Sequence, residues 1–183
     1  MGKSELLANV IETKKIELLQ DRINNNSKLI NDLTNKLVAD YCKQLDEYVR
    51  FIQSILQDNQ HPPTAEEFDD FIMNLPVLLY FCGEAQENLG IKQDVAKAVK
   101  QEKYNEIYKE LQKGTISDKT SKAELAVQSE EVTRIIYSRA YSIVKAKLEA
   151  AYELLSSIKK VITRRISEQS LANVDEGRFR NKR

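Results

Sequence analysis

The residues of this chain that could do chemistry are its bases and its tyrosines. Around the stretch KLEAAYELLSSIKKVITRR, residues 147 to 165, the apolar positions Val144, Leu148, Ala151, Leu155, Ile158 and Ile162 recur at alternating steps of four and three, the a/d pattern of a coiled-coil seam or tight bundle. On a helix at about 100° per residue, Lys145, Lys159, Lys160 and Arg164 stay largely off that seam, and Lys160 and Arg164 stack one turn apart. Two roles stay open for this charge. It is either a solvated face whose cations suit the negative end of the helix dipole, or a surface for phosphate.

Further features favour phosphate. Aromatic residues are interleaved with bases at Lys103-Tyr104, Tyr108-Lys109 and RIIYSRAY (Arg134 to Tyr141), a combination that suits bases of a single strand stacked along a charged groove. The loop Lys113-Gly114-Thr115-Ile116-Ser117-Asp118-Lys119 offers backbone N–H groups, hydroxyls and two lysines beside a helix start, a place where anions bind. The tail Arg178-Phe179-Arg180-Asn181-Lys182-Arg183 adds further bases. Against this stands the plainer reading that tyrosines at helical spacing belong to a core.

Catalytic constellations are harder to find. A lone His61 rules out most histidine-based nucleophile or metal sets within one chain, and the five glycines are too scattered to form a phosphate loop. No Glu-x-x-His pair is present for a carboxylate-bridged metal in a bundle. Glu66, Glu67, Asp69 and Asp70 form an acidic knot, best explained by a helix N-terminus whose dipole favours acids. The expectation is a protein that is not an enzyme and needs no cofactor or metal.

The elements that must position these residues are helices. With 42% hydrophobic and 31% charged residues but only 5 Gly, 3 Pro and no Trp, the chain is too apolar for disorder and too poor in turn formers for a many-stranded sheet. Its 183 residues suit one cooperative domain, or long helices that share a core with copies of themselves. The formal net charge is zero, so any electrostatic argument rests on distribution. Residues 61 to 91 carry six acids and no Lys or Arg. From Lys92 to Ala150 there are 12 bases against 9 acids, and from Ala151 to Arg183 there are 8 against 4.

The predicted class is all-α, with long amphipathic helices at both ends around a shorter, proline-interrupted middle. Residues 1–60 read as a helical hairpin or one long helix, with Asn24-Asn25-Asn26-Ser27 marking a break or restart. Residues 61–91 open after His61-Pro62-Pro63 with a Thr64/Glu67 capping box and Phe68, Phe71, Ile72 and Leu75 facing inward. Pro76 predicts a kink or break, and Asn88-Leu89-Gly90 a further stop. Residues 92–170 form the basic helical region, with a turn at Gly114 and Ser117 or Asp118 as the next cap. Residues 171–183 read as a flexible basic tail.

Cys42 and Cys82 read as small buried hydrophobes in a reducing compartment rather than a disulfide. The N-terminal stretch MGKSELLANVIETKK lacks the apolar core of a signal peptide, and the longest apolar run, Leu75 to Cys82, is too short to span a bilayer. A cytoplasmic protein, in the host cell if phage-encoded, is the expectation.

Over residues 100 to 168, YNEIYKELQKGTISDKTSKAELAV followed by EEVTRIIYSRAYSIVKAKLEAAYELLSSIKKVITRR resembles the phage recombination mediators of the UvsY type. The shared pattern is a helix ending in a Lys- and Tyr-bearing segment, a Gly-containing turn, a polar helix and a long apolar C-terminal helix. The resemblance implies an all-α homo-oligomer that binds single-stranded DNA. Such a protein helps load a RecA-like recombinase onto strands coated by single-strand binding protein. By position it implies DNA contact at Tyr104, Tyr108, Lys109, Lys113 and Lys119, and oligomerisation along Val144, Leu148, Leu155, Ile158 and Ile162. Lys160 and Arg164 join the DNA set from the charge pattern. The alternative is a helical structural or interaction factor, such as an assembly protein or an inhibitor of a host enzyme, whose charges are only solvated.

Overall fold

A computed structural model of the chain describes the backbone of residues 3–58, 60–111 and 114–180, and the side chains of 17–171 apart from 59, 112 and 113. Four helices make up an all-α bundle, and there is no strand among the described residues. They are α1 (Lys3–Leu56), α2 (Ala65–Glu110), α3 (Ile116–Ala126) and α4 (Gln128–Arg180). None is long and apolar enough to cross a membrane, judged over the described residues.

The chain divides into two compact units. Unit 1 holds Met1–Val38 and Ile91–Ala140, and unit 2 holds Ala39–Gly90 and Tyr141–Arg183. Unit 2 carries the apolar core. Phe68, Phe71, Leu75, Leu79, Cys82 and Leu89 are buried at steps of three or four along α2, or seven where one position is skipped, which keeps them on one face of the helix. They meet Cys42, Leu45 and Ile52 of α1 and the seam Val144, Leu148, Ala151, Leu155 and Ile158 of α4, all buried. Phe71 packs edge-on against both Phe51 and Phe68. The Arg165 guanidinium lies 4.7 Å over the Phe68 ring and donates to the Pro63 carbonyl at 2.9 Å. Lys147 closes the side of this core by donating to both carboxylate oxygens of Asp46, at 2.5 and 2.6 Å.

The turn into α2 forms as its residues dictate. Asp58 accepts from the Gln60 N–H, Pro62 and Pro63 stop α1 from continuing, and Thr64 and Glu67 exchange the two hydrogen bonds of a capping box. Within the acidic knot, Asp70 accepts from the Tyr48 hydroxyl at 2.8 Å and from Asn74 at 2.6 Å.

Unit 1 is thinner. Among its described residues the buried ones are Thr34, Val38, Ala123, Val127 and Ala140, mostly small. Charge supplements them: Lys100 and Arg134 both reach Glu131, at 2.9 and 2.7 Å, and Lys103 pairs with Glu130. Gly114 sits at φ 126°, a left-handed conformation that frees the chain to turn out of α2.

Several expected interruptions are absent. α1 runs through Asn24 to Ser27 without a break, because four residues of middling propensity cost a long helix only a few tenths of a kcal/mol each, on the order of host–guest values. α2 runs through Pro76, whose flanks Leu75 and Leu79 are fixed in the core, and through Gly90, which packs against Tyr141. α3 is capped by Thr115 rather than Ser117 or Asp118. Helix α4 continues to Arg180, past the point where the tail was expected to begin, while residues 181–183 lie outside the described residues, as do the side chains of Arg178 and Phe179.

Candidate nucleic-acid interface

The expected DNA-contacting residues divide between the units. Tyr104, Tyr108, Lys109 and Lys119 belong to unit 1, Lys160 and Arg164 to unit 2, and the side chain of Lys113 lies outside the described residues. Within unit 1 the turn between α2 and α3 is the focus. Tyr104 and Tyr108 stand one helical turn apart, half-buried, with their rings stacked on each other at 6.1 Å between centroids and 18° between planes. Lys109 is exposed in the last turn of α2, and Lys119 is half-buried in the first turns of α3.

The anion site expected at the start of α3 already holds a carboxylate. Thr115 Oγ1 accepts from the Asp118 N–H at 3.2 Å, and Asp118 Oδ2 accepts from both the Thr115 N–H and hydroxyl, at 3.3 and 2.7 Å. The hydroxyl and backbone bonds from Thr115 hold the Asp118 carboxyl below its usual range. Those donors satisfy the helix start internally, which leaves neither the Thr115 nor the Asp118 backbone N–H turned outward and makes the lysines the cations of this turn.

The bases of RIIYSRAY and their neighbours are committed as well. Arg134 forms a two-pronged bond with Glu131, and Arg139 donates to Asn31 at 3.3 Å. In unit 2, Arg164 pairs with Glu168 at 2.7 Å on the exposed side of α4, and Lys160 is exposed. The residues assigned to oligomerisation have a different place: Val144, Leu148, Leu155 and Ile158 are buried within the single chain, and Ile162 is half-buried. Their apolar surface is covered by α1 and α2 of the same unit, so an interface between copies needs other residues.

A feature not read from the sequence lies on the far side of α2. Ile91, Val95 and Val99 are exposed one turn apart and, with Ala96, Thr133 and Tyr137, line a groove of about 400 Å³ in unit 1. The signal was present as a second i, i+4 apolar row, masked because α2 is apolar on more than one face.

The ion pairs make a pH prediction. Lys103, with Ser129, holds the Glu130 carboxyl at about 2, and Arg134, with Lys100, holds Glu131 at about 2, both below the ordinary 4.5. A depressed carboxyl adds stability that is complete above the unfolded value and is lost as pH falls through the folded one. Unit 1 is therefore expected to loosen between pH 4.5 and 2, seen as faster amide exchange around 95–105 and 128–136. Glu130→Gln with Glu131→Gln should remove that pH dependence, and an unchanged acid transition in this variant would assign it to other groups.

No family model, curated protein or solved structure matches this chain.

Proposed function

We propose that this chain is a non-enzymatic mediator of recombination that binds single-stranded DNA and helps load a RecA-like recombinase onto strands held by a single-strand binding protein. One observation carries the reading. Lys109 and Lys119 flank the α2–α3 turn beside the stacked Tyr104 and Tyr108, and neither lysine has an ion-pair partner among the described residues, whereas Lys100, Lys103 and Arg134 do. Cations left without carboxylates beside aromatic faces suit a flexible anionic strand. The resemblance over residues 100 to 168 supports the same reading.

A second reading, a helical protein-interaction factor without nucleic-acid binding, is favoured by the exposed apolar groove of Ile91, Val95 and Val99. Fluorescence anisotropy of a labelled single-stranded oligonucleotide, titrated with protein at several salt concentrations, separates them. Lys109→Ala with Lys119→Ala should weaken binding several-fold and flatten the log–log salt slope by about 1.4, from ~0.7 per phosphate contact on single strands. Helicity should be unchanged. Absence of binding to the wild-type protein at low salt would sink the mediator reading and leave the interaction factor.

A further inference from the structure

Gly83 stands in the interior of α2 with no conformational reason to be glycine. Its φ is not positive, and a Cβ built there meets nothing within 4 Å. Glycine weakens a helix interior relative to alanine, and is tolerated where another backbone must come close. Gly90 has such a reason inside the chain, since the Tyr141 ring lies 3.4 Å from where its Cβ would be. Gly83 has none among the described residues.

It lines a groove of about 490 Å³ between α2 and α4 of unit 2, walled by Tyr80, Glu84, Glu87, Lys145, Glu149 and Tyr152. Tyr80 and Tyr152 are 70% and 55% exposed, and Phe81 beside them is 58% exposed. Glu84 and Glu87 have no basic partner among the described residues, and Lys145 faces Glu149 at 3.9 Å, so the groove is aromatic with a net negative rim. Its occupant should be a helix bearing cations beside apolar side chains.

The same chain presents one. On the exposed side of α4, Lys160, Arg164 and Leu171 share a face at 100° per residue, with Val161 at its edge, and Leu171 is 67% exposed. We propose that the groove at Gly83 docks the 160–171 stretch of α4 from a second copy of this chain. Groove and insert are separate stretches of one chain, so each copy carries one of each, and the contact either closes as a two-fold pair made groove to insert twice or propagates from copy to copy. Leu171 and Val161 lie against Tyr80 and Tyr152, and Lys160 and Arg164 meet Glu84 and Glu87. Arg164 exchanges its intrahelical partner Glu168 for the groove in doing so.

Sedimentation velocity on the full chain tests this with four proteins. The wild type should associate as concentration rises. Glu84→Lys with Glu87→Lys should be monomeric, and so should Lys160→Glu with Arg164→Glu, each with unchanged helicity because all four positions are exposed. Mixed together, the two variants should associate again, since each supplies what the other lacks. Gly83→Trp, which fills the groove, should be monomeric with helicity retained. A wild type that stays monomeric overturns the proposal. So do reversed variants that still associate, or a pair that fails to recombine. These outcomes are independent of DNA binding through Lys109 and Lys119.

Discussion

Replacing Leu148 with Asp is expected to unfold unit 2, not to separate intact subunits. Leu148 is 4% exposed in the single chain, in a row with the buried Val144, Ala151 and Leu155. Truncating a buried leucine alone costs ~2–5 kcal/mol, and a carboxylate forced into the same space either stays charged without a partner or takes up a proton, at a cost of several more. The sum rivals the whole stability of a typical domain, on the order of 5–15 kcal/mol. Circular dichroism of Leu148→Asp should show lost helicity at room temperature, or a melting transition lowered beyond any surface variant. Lys160→Glu, on the exposed side of the same helix, should move stability by no more than about 0.5 kcal/mol. If Leu148→Asp kept native helicity and melting temperature while its mass fell, the seam would be a contact between copies after all.

The heptads of α4 were readable because their physical cause is local: an apolar row of period 3.5 has to be buried, and Val144, Leu148, Ala151, Leu155 and Ile158 are. The partner that buries them was not readable. Nothing in a periodic row says whether the facing surface belongs to the same chain, and here α1 and α2 supply it. The capping box at Thr64 and Glu67 and the turn at Gly114 were equally local and equally legible. The false stops at Pro76 and Gly90 share one cause. Local propensity was weighed alone, while Leu75, Leu79 and Leu89, all buried, hold α2 helical through its weak points.

At the candidate site the residue types were legible and their states were not. Lysines and tyrosines around Gly114 stand out in the sequence, but Asp118 folds back onto the helix start, and Glu130 and Glu131 claim Lys100, Lys103 and Arg134. The two lysine pairs join residues about 30 positions apart across two helices, beyond the reach of local spacing, whereas Thr115–Asp118 and Glu131–Arg134 are three positions apart and were legible in principle. What is left unpaired, Lys109 and Lys119, is a smaller and more testable set than the basic third of the chain suggested.

Oxidation should join Cys42 to Cys82 and raise stability by about 4 kcal/mol. The sequence gives no hint of a pair, since 40 positions separate the two, yet the structure places the sulfurs 3.1 Å apart between α1 and α2, both thiols free and buried. A bond there closes a loop of that length in the unfolded chain, and the chain-entropy account puts its effect at ~4 kcal/mol. At roughly 2–4 °C per kcal/mol for a chain of this size, the melting temperature should rise by about 8–16 °C. The reaction should also be slow in the native protein. Both thiols are buried, so oxidised glutathione reaches neither sulfur until the helices open locally. Oxidised glutathione would carry out the exchange, with one thiolate attacking its disulfide and the second cysteine displacing glutathione to close the bond. Mass spectrometry should find an intramolecular bond in wild type and none in Cys42→Ser, and melts of oxidised against reduced protein give the energy. An oxidised form that melts no higher than the reduced one would mean that the two helices must move apart or strain to form the bond, and that their packing at Cys42 and Cys82 is tighter than a disulfide allows.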